Sequence, residues 1–286
     1  MSIINPNQVR EIINSIPNNP EIHKHCQLMK GNITPEDVQA FFQTMFIGSF
    51  RTGELCGNRY PSDKSRNTGQ TLKAYLDTYT PDDSNQDEID TLTQRLYIQN
   101  IRAGKKEMPT LEDILSIREP VLVLQVQVEK RKDLFVRHTA LPMREELEPL
   151  SKPVYEYIKN REAAECIFPF NRMQALRLAH KIFIGYSYKI RSYRRNKLDA
   201  KGNKILRENG KAERVTITPK IKPFGDHAVR HAGIEEKKKL GIRGPRLTAF
   251  VGWSPKGEEV LEEVYDQNDP FTACRLYLPY LITRRI

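Results

Sequence analysis

Apolar residues recur at helical spacing along most of the chain. Thr34 is a favourable N-cap, Pro35 suits the first helical position, and the run VQAFFQTMFIG behind them places its large apolar residues on one face. This pattern predicts a buried helix that ends near Gly48. Similar patterns predict helices over residues 7–16, 86–101, 145–160 and 171–183, and through most of residues 222–286. Residues 17–31 predict a polar connector.

Residues 120–141 follow a different rule, because apolar residues alternate there with the two-residue period of a strand. Leu122, Leu124 and Val126 belong to a set that is apolar throughout and is predicted to face the core. The alternate positions become polar toward the charged turn 129–133, and a second apolar run covers residues 134–141. The pattern predicts a β-hairpin with a basic tip. The fold class is therefore expected to be α+β, mostly α, with a small antiparallel sheet.

Composition narrows the class of protein. The 286 residues are 38% hydrophobic and 29% charged, which is typical of a soluble globular protein with a substantial core. No stretch reaches the roughly 20 consecutive apolar residues that span a bilayer, and the first residues lack the pattern of a secretory signal. We expect a cytoplasmic, nucleoid-associated protein, or a nuclear one if the source is eukaryotic. The four cysteines are too far apart for a zinc site and are predicted to be ordinary buried thiols, so no metal or other cofactor is predicted.

Positive charge is concentrated in one segment. Residues 189–222 contain twelve Lys or Arg and three Asp or Glu, an excess that accounts for nearly the whole net charge of +10. Turn signals at 201–203 and 208–210 predict an extended hairpin arm. A phosphate backbone attracts such a segment, whereas an anionic lipid surface is a weaker option because no amphipathic apolar face accompanies the charges. A solvated loop is the plain alternative. The candidate DNA contacts are Arg191, Arg194, Arg195, Lys197, Lys201 and Lys204.

Four further patches contain residues suited to phosphate chemistry, although each patch alone has an ordinary structural explanation. Arginine, lysine and histidine can bind or protonate phosphate oxygens, and a tyrosine hydroxyl can attack phosphorus. Along the chain, the patches are Arg51 with Glu54, Lys130 with Lys132 on the hairpin tip, His227 with Arg230 and His231, and Trp253 followed by Tyr265.

In this order, the patches resemble the catalytic domain of the tyrosine recombinase and integrase family over about residues 32–286. The run GSFRTGEL is similar to the family's G-x-R-x-x-E-L box, HAVRH to its H-x-L-R-H box, and VGWS to its L-G-H-S turn with Trp in place of His. VEKRKDLFVRHTAL is similar to the family hairpin, and IFPFNRMQALRLAHKI to a family helix. The resemblance implies that domain's helical core, a short N-terminal segment over 1–31, and insertions at about 57–110 and 189–222.

The resemblance implies a phosphate-binding role for two arginines. Arg51 and Arg230 would bind the non-bridging oxygens of the scissile phosphate, because a planar, permanently charged guanidinium gives bidentate hydrogen bonds to phosphate. Glu54 and His231 would support them. Trp253 would donate its indole N–H, which cannot accept a proton in return.

The resemblance assigns the covalent chemistry to Tyr265. Its phenolic oxygen would attack phosphorus and form a 3′-phosphotyrosine, which conserves the phosphodiester bond energy for religation. Lys132, with Lys130 in reserve, would protonate the leaving 5′-oxygen, and His227 would accept or relay the nucleophile's proton. The expected function is a site-specific recombinase or integrase that uses neither a metal ion nor ATP.

Several alternatives stay open. Tyr277 and Tyr280 are fallback nucleophiles. A telomere resolvase or a type IB topoisomerase would use the same chemistry, although those enzymes often carry lysine at the position of His227. A catalytically inactive DNA-binding protein descended from a recombinase would keep the binding surface without the reaction. An RNA-binding or scaffolding protein would account for the basic arm alone.

Double-stranded DNA is the expected partner, and no membrane contact is expected. Only about thirty residues precede the recombinase-like region. The helical DNA-clamping domain of the family does not fit there, so either a separate DNA-binding chain supplies it or this is a minimal or truncated form. Self-assembly on DNA is also expected. The apolar C-terminal tail would pack either on a neighbouring protomer or on its own core; its apolar residues are Leu276, Leu278, Leu281 and Ile282.

Overall fold

A computed structural model of the chain describes residues 2–3, 5–56, 72–127, 136–161, 167–169, 171–189, 193–217, 221–252 and 271–283. The fold is α+β, as predicted. Its helices are α1 Pro6–Asn14, α2 Pro20–Gln27, α3 Pro35–Gly48, α4 Thr52–Cys56, α5 Gln86–Arg102, α6 Leu111–Leu115, α7 Ser151–Lys159, α8 Arg172–Ile182, α9 Asp226–Lys239, α10 Pro245–Val251, α11 Thr272–Arg275 and α12 Leu278–Ile282. Its strands are β1 Ser2–Ile3, β2 Lys73–Tyr79, β3 Glu119–Gln127, β4 Val136–Pro142, β5 Tyr186–Lys189, β6 Tyr193–Asn196, β7 Arg214–Ile217 and β8 Ile221–Pro223.

A three-stranded antiparallel sheet has the order β2–β3–β4. The β3–β4 pair is the hairpin that the alternating pattern predicts. β2 lies in a region expected to be an insertion, and its pairing along the whole of β3 is not indicated by that pattern. Because β3 is the central strand and is covered on both faces, Val121 and Val123 are buried as completely as Leu122 and Leu124. The prediction that only one set of β3 residues faces the core is therefore too narrow. Smaller sheets have the orders β1–β5–β8 and β6–β7.

Three of the predicted helices are confirmed as α3, α5 and α8. Each begins at a side-chain cap, since Thr34, Asn85 and Asn171 accept a hydrogen bond from a backbone N–H of the first turn. In α3 and α8 the third residue also bonds back to the cap. The polar residues that punctuate the sequence therefore determine where these helices begin.

Two expectations about helices are wrong. Residues 17–31 are not only a connector, because Asn19 caps α2 and Pro20 occupies its first position. The helix expected from residue 145 begins only at Ser151. The preceding residues form turns, in which Pro149 has no N–H to donate to an earlier carbonyl.

The N-terminal helices belong to the same hydrophobic core as the rest of the described chain, and Val9 of α1 is fully buried in it. Charge also ties α1 to α9. The guanidinium of Arg10 lies 2.7 Å from a carboxylate oxygen of both Glu148 and Glu236. The ammonium of Lys237 lies 3.0 Å and 3.1 Å from the same two carboxylates. Two cations and two anions therefore compensate one another where water is largely excluded.

The acidic composition of residues 82–90 suggests a surface segment, but one of its residues is buried. Glu88 is 3% exposed, accepts a hydrogen bond from the Tyr79 hydroxyl at 2.5 Å and forms an ion pair with Arg275 at 3.2 Å. These contacts join β2, α5 and α11. A region expected to be an insertion thus contributes to the packed interior.

The C-terminal tail packs on the core of its own chain. Leu278, Leu281 and Ile282 are buried, and α12 contacts α5 and β4. Leu276 is partly buried against the same core. Of the two expectations for this tail, the structure matches intramolecular packing.

Cys26, Cys56 and Cys274 are buried, as predicted, while Cys166 lies outside the described residues. No helix in the described part of the chain is long and apolar enough to cross a membrane.

Helix α9 crosses α3 at Gly233. A Cβ at this position would lie 2.1 Å from the backbone oxygen of Phe46 and 3.0 Å from the Ser49 hydroxyl. Only glycine permits so close an approach of two backbones. The crossing places Arg230 of α9 beside the end of α3, which Arg51 follows in the sequence.

We expect Gly233→Ala to lower the free energy of unfolding by about 1–3 kcal/mol, the usual cost of overpacking. The new methyl group would meet the backbone of α3 rather than a movable side chain. Helix propensity alone would make the alanine variant more stable by roughly 1 kcal/mol. A loss of stability would therefore show that the close contact with α3 exists. Urea unfolding followed by circular dichroism measures it.

Lys239→Ala is the matched control, because Lys239 is exposed at the end of the same helix. Its effect should stay within about 0.5 kcal/mol. A Gly233→Ala protein as stable as the wild type would show that the helices do not approach so closely.

Candidate active site

The chain reverses direction between α3 and α4, and this turn presents Arg51. Helix α3 ends at Gly48, Ser49 adopts a left-handed conformation with φ of 51°, and the N–H of Phe50 bonds back to the carbonyl of Met45. A Cβ on Gly48 would lie 2.0 Å from the Phe50 ring, so this tight turn requires glycine. Arg51 therefore stands immediately before α4 and caps its first turn.

Glu54 holds Arg51 and Arg230 together. One carboxylate oxygen, Oε2, accepts a hydrogen bond from the backbone N–H of Arg51 at 2.7 Å, as the third residue of a capping box does. The other, Oε1, lies 2.7 Å from the Arg51 guanidinium, and Oε2 lies 3.5 Å from that of Arg230. Glu54 is 2% exposed, so these attractions act in a less polar surrounding than water. The spacing R-x-x-E thus has a direct structural cause.

Arg230 reaches from α9 to the end of α10. It is 2% exposed, and its Nη2 group donates to the backbone oxygen of Val251 at 3.4 Å. Ala228 and Val229 are buried, as expected for the residues between the histidine and the arginine of this patch. Arg230 therefore links Glu54 to the segment that leads, two residues later, to Trp253.

His227 lies in the first turn of α9 and is exposed. Its ring meets that of His231 edge to face, with centroids 4.6 Å apart. Asp226 accepts hydrogen bonds from the backbone N–H of His227 and from the Thr52 hydroxyl, which joins the start of α9 to α4. Desolvation, together with the nearby His227 and Arg230, lowers the pKa of His231 to about 4. The His231 imidazole is therefore neutral at pH 7.

Arg137 is a buried cation to which the motifs assign no role. It is 1% exposed, and its guanidinium donates to the carbonyls of Gly48 at 3.1 Å and Phe250 at 3.3 Å. It also stacks on the Phe50 ring, with 4.4 Å to the centroid. A Cβ on Gly252 would lie 2.5 Å from Cδ of Arg137. Arg137 thus joins the turn before Arg51 to the end of α10.

The sequence does contain a signal for Arg137. Side chains alternate along a strand, so Arg137 shares one face of β4 with Thr139 and Leu141, which are both buried. A charge on the core face of a strand is costly unless the fold supplies partners for it. Its position relative to Leu141 therefore indicates a buried, hydrogen-bonded arginine.

The described residues bring together two arginines and the supporting acid of the predicted set, with His227 and His231 on the helix of Arg230. The predicted positions of the lysines, the tryptophan and the nucleophile lie outside the described residues; these are Lys130, Lys132, Trp253 and Tyr265. Among the candidate DNA contacts, Arg191 also lies outside them. Arg194 and Arg195 lie in β6, and Lys197, Lys201 and Lys204 follow along the exposed arm.

The fallback nucleophile Tyr277 is fully buried. Its hydroxyl accepts a hydrogen bond from the Ala140 N–H and donates to Cys274 Sγ, both at 3.0 Å. Desolvation by burial and the Cys274 thiol raise the pKa of Tyr277. A phenol in this position does not reach a DNA phosphate. The ring of the other fallback, Tyr280, packs against the guanidinium of Arg95 at 4.5 Å.

Comparisons of the chain with protein-family models, with curated proteins and with solved structures found no match. The resemblance to tyrosine recombinases therefore rests on the residues quoted above. In the part of the chain that the structure describes, no group of three or more His, Cys, Asp or Glu side chains is placed to hold a metal ion.

We expect Glu54→Gln to lower the free energy of unfolding by about 3 kcal/mol, the scale measured when one partner of a buried ion pair is removed. The amide keeps the shape of the side chain but leaves the guanidinium groups of Arg51 and Arg230 without their shared negative charge. Urea unfolding monitored by circular dichroism provides the measurement.

Glu235→Gln is the matched control, since exposed Glu235 forms an ion pair of the same 2.7 Å length and the same i, i+3 spacing with half-buried Lys238. Its loss should cost no more than about 1 kcal/mol, as for other surface pairs. Equal effects of the two substitutions would contradict the special position of Glu54.

The lowered pKa of His231 predicts a pH dependence of stability. The unfolded chain keeps a histidine pKa of about 6.5 and therefore binds more protons than the folded state below that pH. Stability should fall as the pH drops from about 6.5 toward the folded-state pKa of about 4. His231→Gln should remove this contribution, measured by urea unfolding at about pH 5 and about pH 7. An NMR titration of the ring with a midpoint near 6.5 would refute the shift.

Proposed function

We propose that this protein is a site-specific DNA recombinase or integrase that cleaves and rejoins DNA through a 3′-phosphotyrosine intermediate. One observation carries the proposal. Arg51 and Arg230, which come from distant parts of the sequence, both contact the carboxylate of Glu54. The Arg51 side chain is still 18% exposed, and a guanidinium has five N–H donors, more than its contact with Glu54 uses. Guanidinium N–H groups therefore remain for an anionic oxygen.

The two arginines suit the transition state of phosphoryl transfer. Attack on phosphorus gives a five-coordinate arrangement in which negative charge builds on the non-bridging oxygens. Rigidly held donors stabilise this charge without having to reorganise, and loss of one such donor typically costs about a hundred- to a thousand-fold in rate. Glu54, the carbonyl of Val251 and the capping bond to the Arg51 backbone supply the rigidity here.

The covalent step follows from the proposed assignments. The phenolic oxygen of Tyr265 attacks phosphorus, a bond between Tyr265 and the 3′-phosphate forms, and the bond from phosphorus to the 5′-oxygen breaks. Lys132 gives a proton to the departing 5′-oxygen, and His227 accepts the proton of the phenol. Attack by a 5′-hydroxyl on the phosphotyrosine reverses these transfers and reseals the strand. The phosphodiester energy is kept throughout.

Duplex DNA is the proposed partner, and its phosphates would be met by the exposed, basic arm. Self-assembly on DNA would bring together the active sites needed for strand exchange. The buried position of the C-terminal tail in this chain favours assembly through surfaces other than that tail.

The decisive experiment uses labelled, nicked duplexes of mixed sequence, which trap a covalent complex because the short 5′-hydroxyl fragment diffuses away. The wild type should form an adduct that survives denaturing electrophoresis. Tyr265→Phe should bind the same DNA and form no adduct, because it lacks the nucleophilic oxygen. Tyr280→Phe is the matched control and should form the adduct as the wild type does.

Arg230→Ala in the same assay should slow adduct formation by about a hundred-fold or more while DNA is still bound. Normal rates would remove Arg230 from the site. Binding without any adduct by the intact protein would favour an inactive DNA-binding descendant, and an adduct that persists in Tyr265→Phe would assign the nucleophile to another tyrosine.

A further inference from the structure

The basic arm is an exposed β-ribbon with a defined pair of faces. Strands β6 and β7 pair antiparallel, and beyond them isolated bridges at Leu198–Lys204 and Leu206–Ala212 form two small hairpins. Two turns close the tip, with Gly202 and Gly210 at positive φ of 86° and 72°. The arm predicted from the turn signals therefore contains a β-ladder, and the pairing of β6 with β7 fixes which side chains of these two strands share a face.

One face of this ribbon gathers cations around a groove. Ala212, Arg214 and Thr216 alternate along the strand and point to the same side, where Arg207 and Lys211 join them. These five residues line a groove of about 660 Å³. No carboxylate of the described residues lines it, although Glu208 and Glu213 are close in sequence.

The three cations of the groove form no ion pair with a carboxylate of the described residues. Arg207, Lys211 and Arg214 are exposed, and none of them forms an ion pair with another described residue. The opposite face differs, because Lys197 lies 3.1 Å from the carboxylate of Glu213. Like charges that share a concave surface repel one another until an anion enters it. The groove is thus the side of the arm prepared for an external anion.

We propose that the groove formed by Arg207, Lys211, Ala212, Arg214 and Thr216 binds the phosphodiester backbone of duplex DNA. The inference deepens the proposed function, because it rests on DNA as the partner and identifies the face of the arm that meets it. None of these five residues is among the candidate DNA contacts from the sequence. A two-stranded ribbon is narrow enough to follow a groove of B-form DNA, with its cations reaching the flanking phosphates.

Duplex DNA fits this face better than an anionic membrane does. Membrane-surface segments combine their cations with a continuous apolar face that enters the lipid. Among the described residues of the ribbon, the large apolar side chains that are exposed are Leu198 and Leu206, at 52% and 60% exposure. A periodic phosphate backbone, by contrast, needs only spaced cations and a polar neighbour such as Thr216.

The test compares two triple variants of the full-length chain with the same change in charge. The groove variant is Arg207→Ala, Lys211→Ala, Arg214→Ala. The control is Arg102→Ala, Lys105→Ala, Lys106→Ala, which removes three exposed cations at the end of α5. Fluorescence anisotropy with a labelled duplex across a KCl series gives affinity and the salt slope. Thermal unfolding followed by circular dichroism checks that both variants are folded.

Each lost phosphate contact reduces the slope of log affinity against log salt by about 0.9, so the groove variant should lose about 2.7. Its affinity at low salt should fall at least about tenfold, while the control keeps the wild-type slope. Equal slopes for the two variants overturn the inference. So does a groove variant that binds DNA normally but loses binding to vesicles containing phosphatidylserine, because the face would then be a membrane contact.

Adduct formation on nicked duplexes separates this inference from the proposed reaction. A wild type that forms the adduct, with a groove variant of unchanged salt slope, keeps the reaction and rejects the groove. A wild type that never forms the adduct, with a groove variant that loses about 2.7 from its slope, keeps the groove and rejects the reaction.

Discussion

The backbone contact between α3 and α9 at Gly233 is the constraint on which the candidate site depends. Hydrogen on Cα, in place of a side chain, lets α9 lie against the carbonyl of Phe46. Arg230 stands one turn earlier on α9 and Arg51 just beyond the end of α3, so the crossing determines whether both guanidinium groups reach Glu54. A wider separation would leave Glu54 buried with one partner fewer, at a cost in free energy that a packed interior does not tolerate.

Helix ends explain how the buried cations are held. The last carbonyls of a helix have no intrahelical donor and carry partial negative charge. Arg137 donates to such carbonyls at the ends of α3 and α10, and Arg230 to that of Val251. Each guanidinium thus satisfies groups that would otherwise be unpaired and fixes the direction in which the chain leaves the helix. The same contacts also connect the turn before Arg51 to the end of α10.

Local signals made much of this arrangement predictable. Caps and apolar periodicity placed α3, α5 and α8, and the spacing of Arg51 and Glu54 already contained the capping bond. The sequence pattern does not predict β2. This edge strand contains exposed Leu76, so its apolar and polar residues do not alternate clearly, and it depends on pairing with distant β3. The burial of Glu88 is not predictable from the sequence for a related reason, since only the tertiary structure brings its partners Tyr79 and Arg275 to it. Convergence at Glu54 was implied by family resemblance, and no local pattern could measure it.

The interior of the protein and the basic arm differ in how their positive charge is balanced. In the interior, carboxylates or carbonyls accompany the cations. Glu148 and Glu236 face Arg10 and Lys237, and Glu54 faces both arginines of the site. Arg137 donates to backbone carbonyls instead. In the groove of the arm, the described lining residues include cations and no carboxylate. Interior charge is balanced by folding, because an isolated buried ion would be too costly. Charge on the arm stays solvated in the free protein, so its balance is left to a partner, and counterions released when phosphates arrive would make that association strongly dependent on salt.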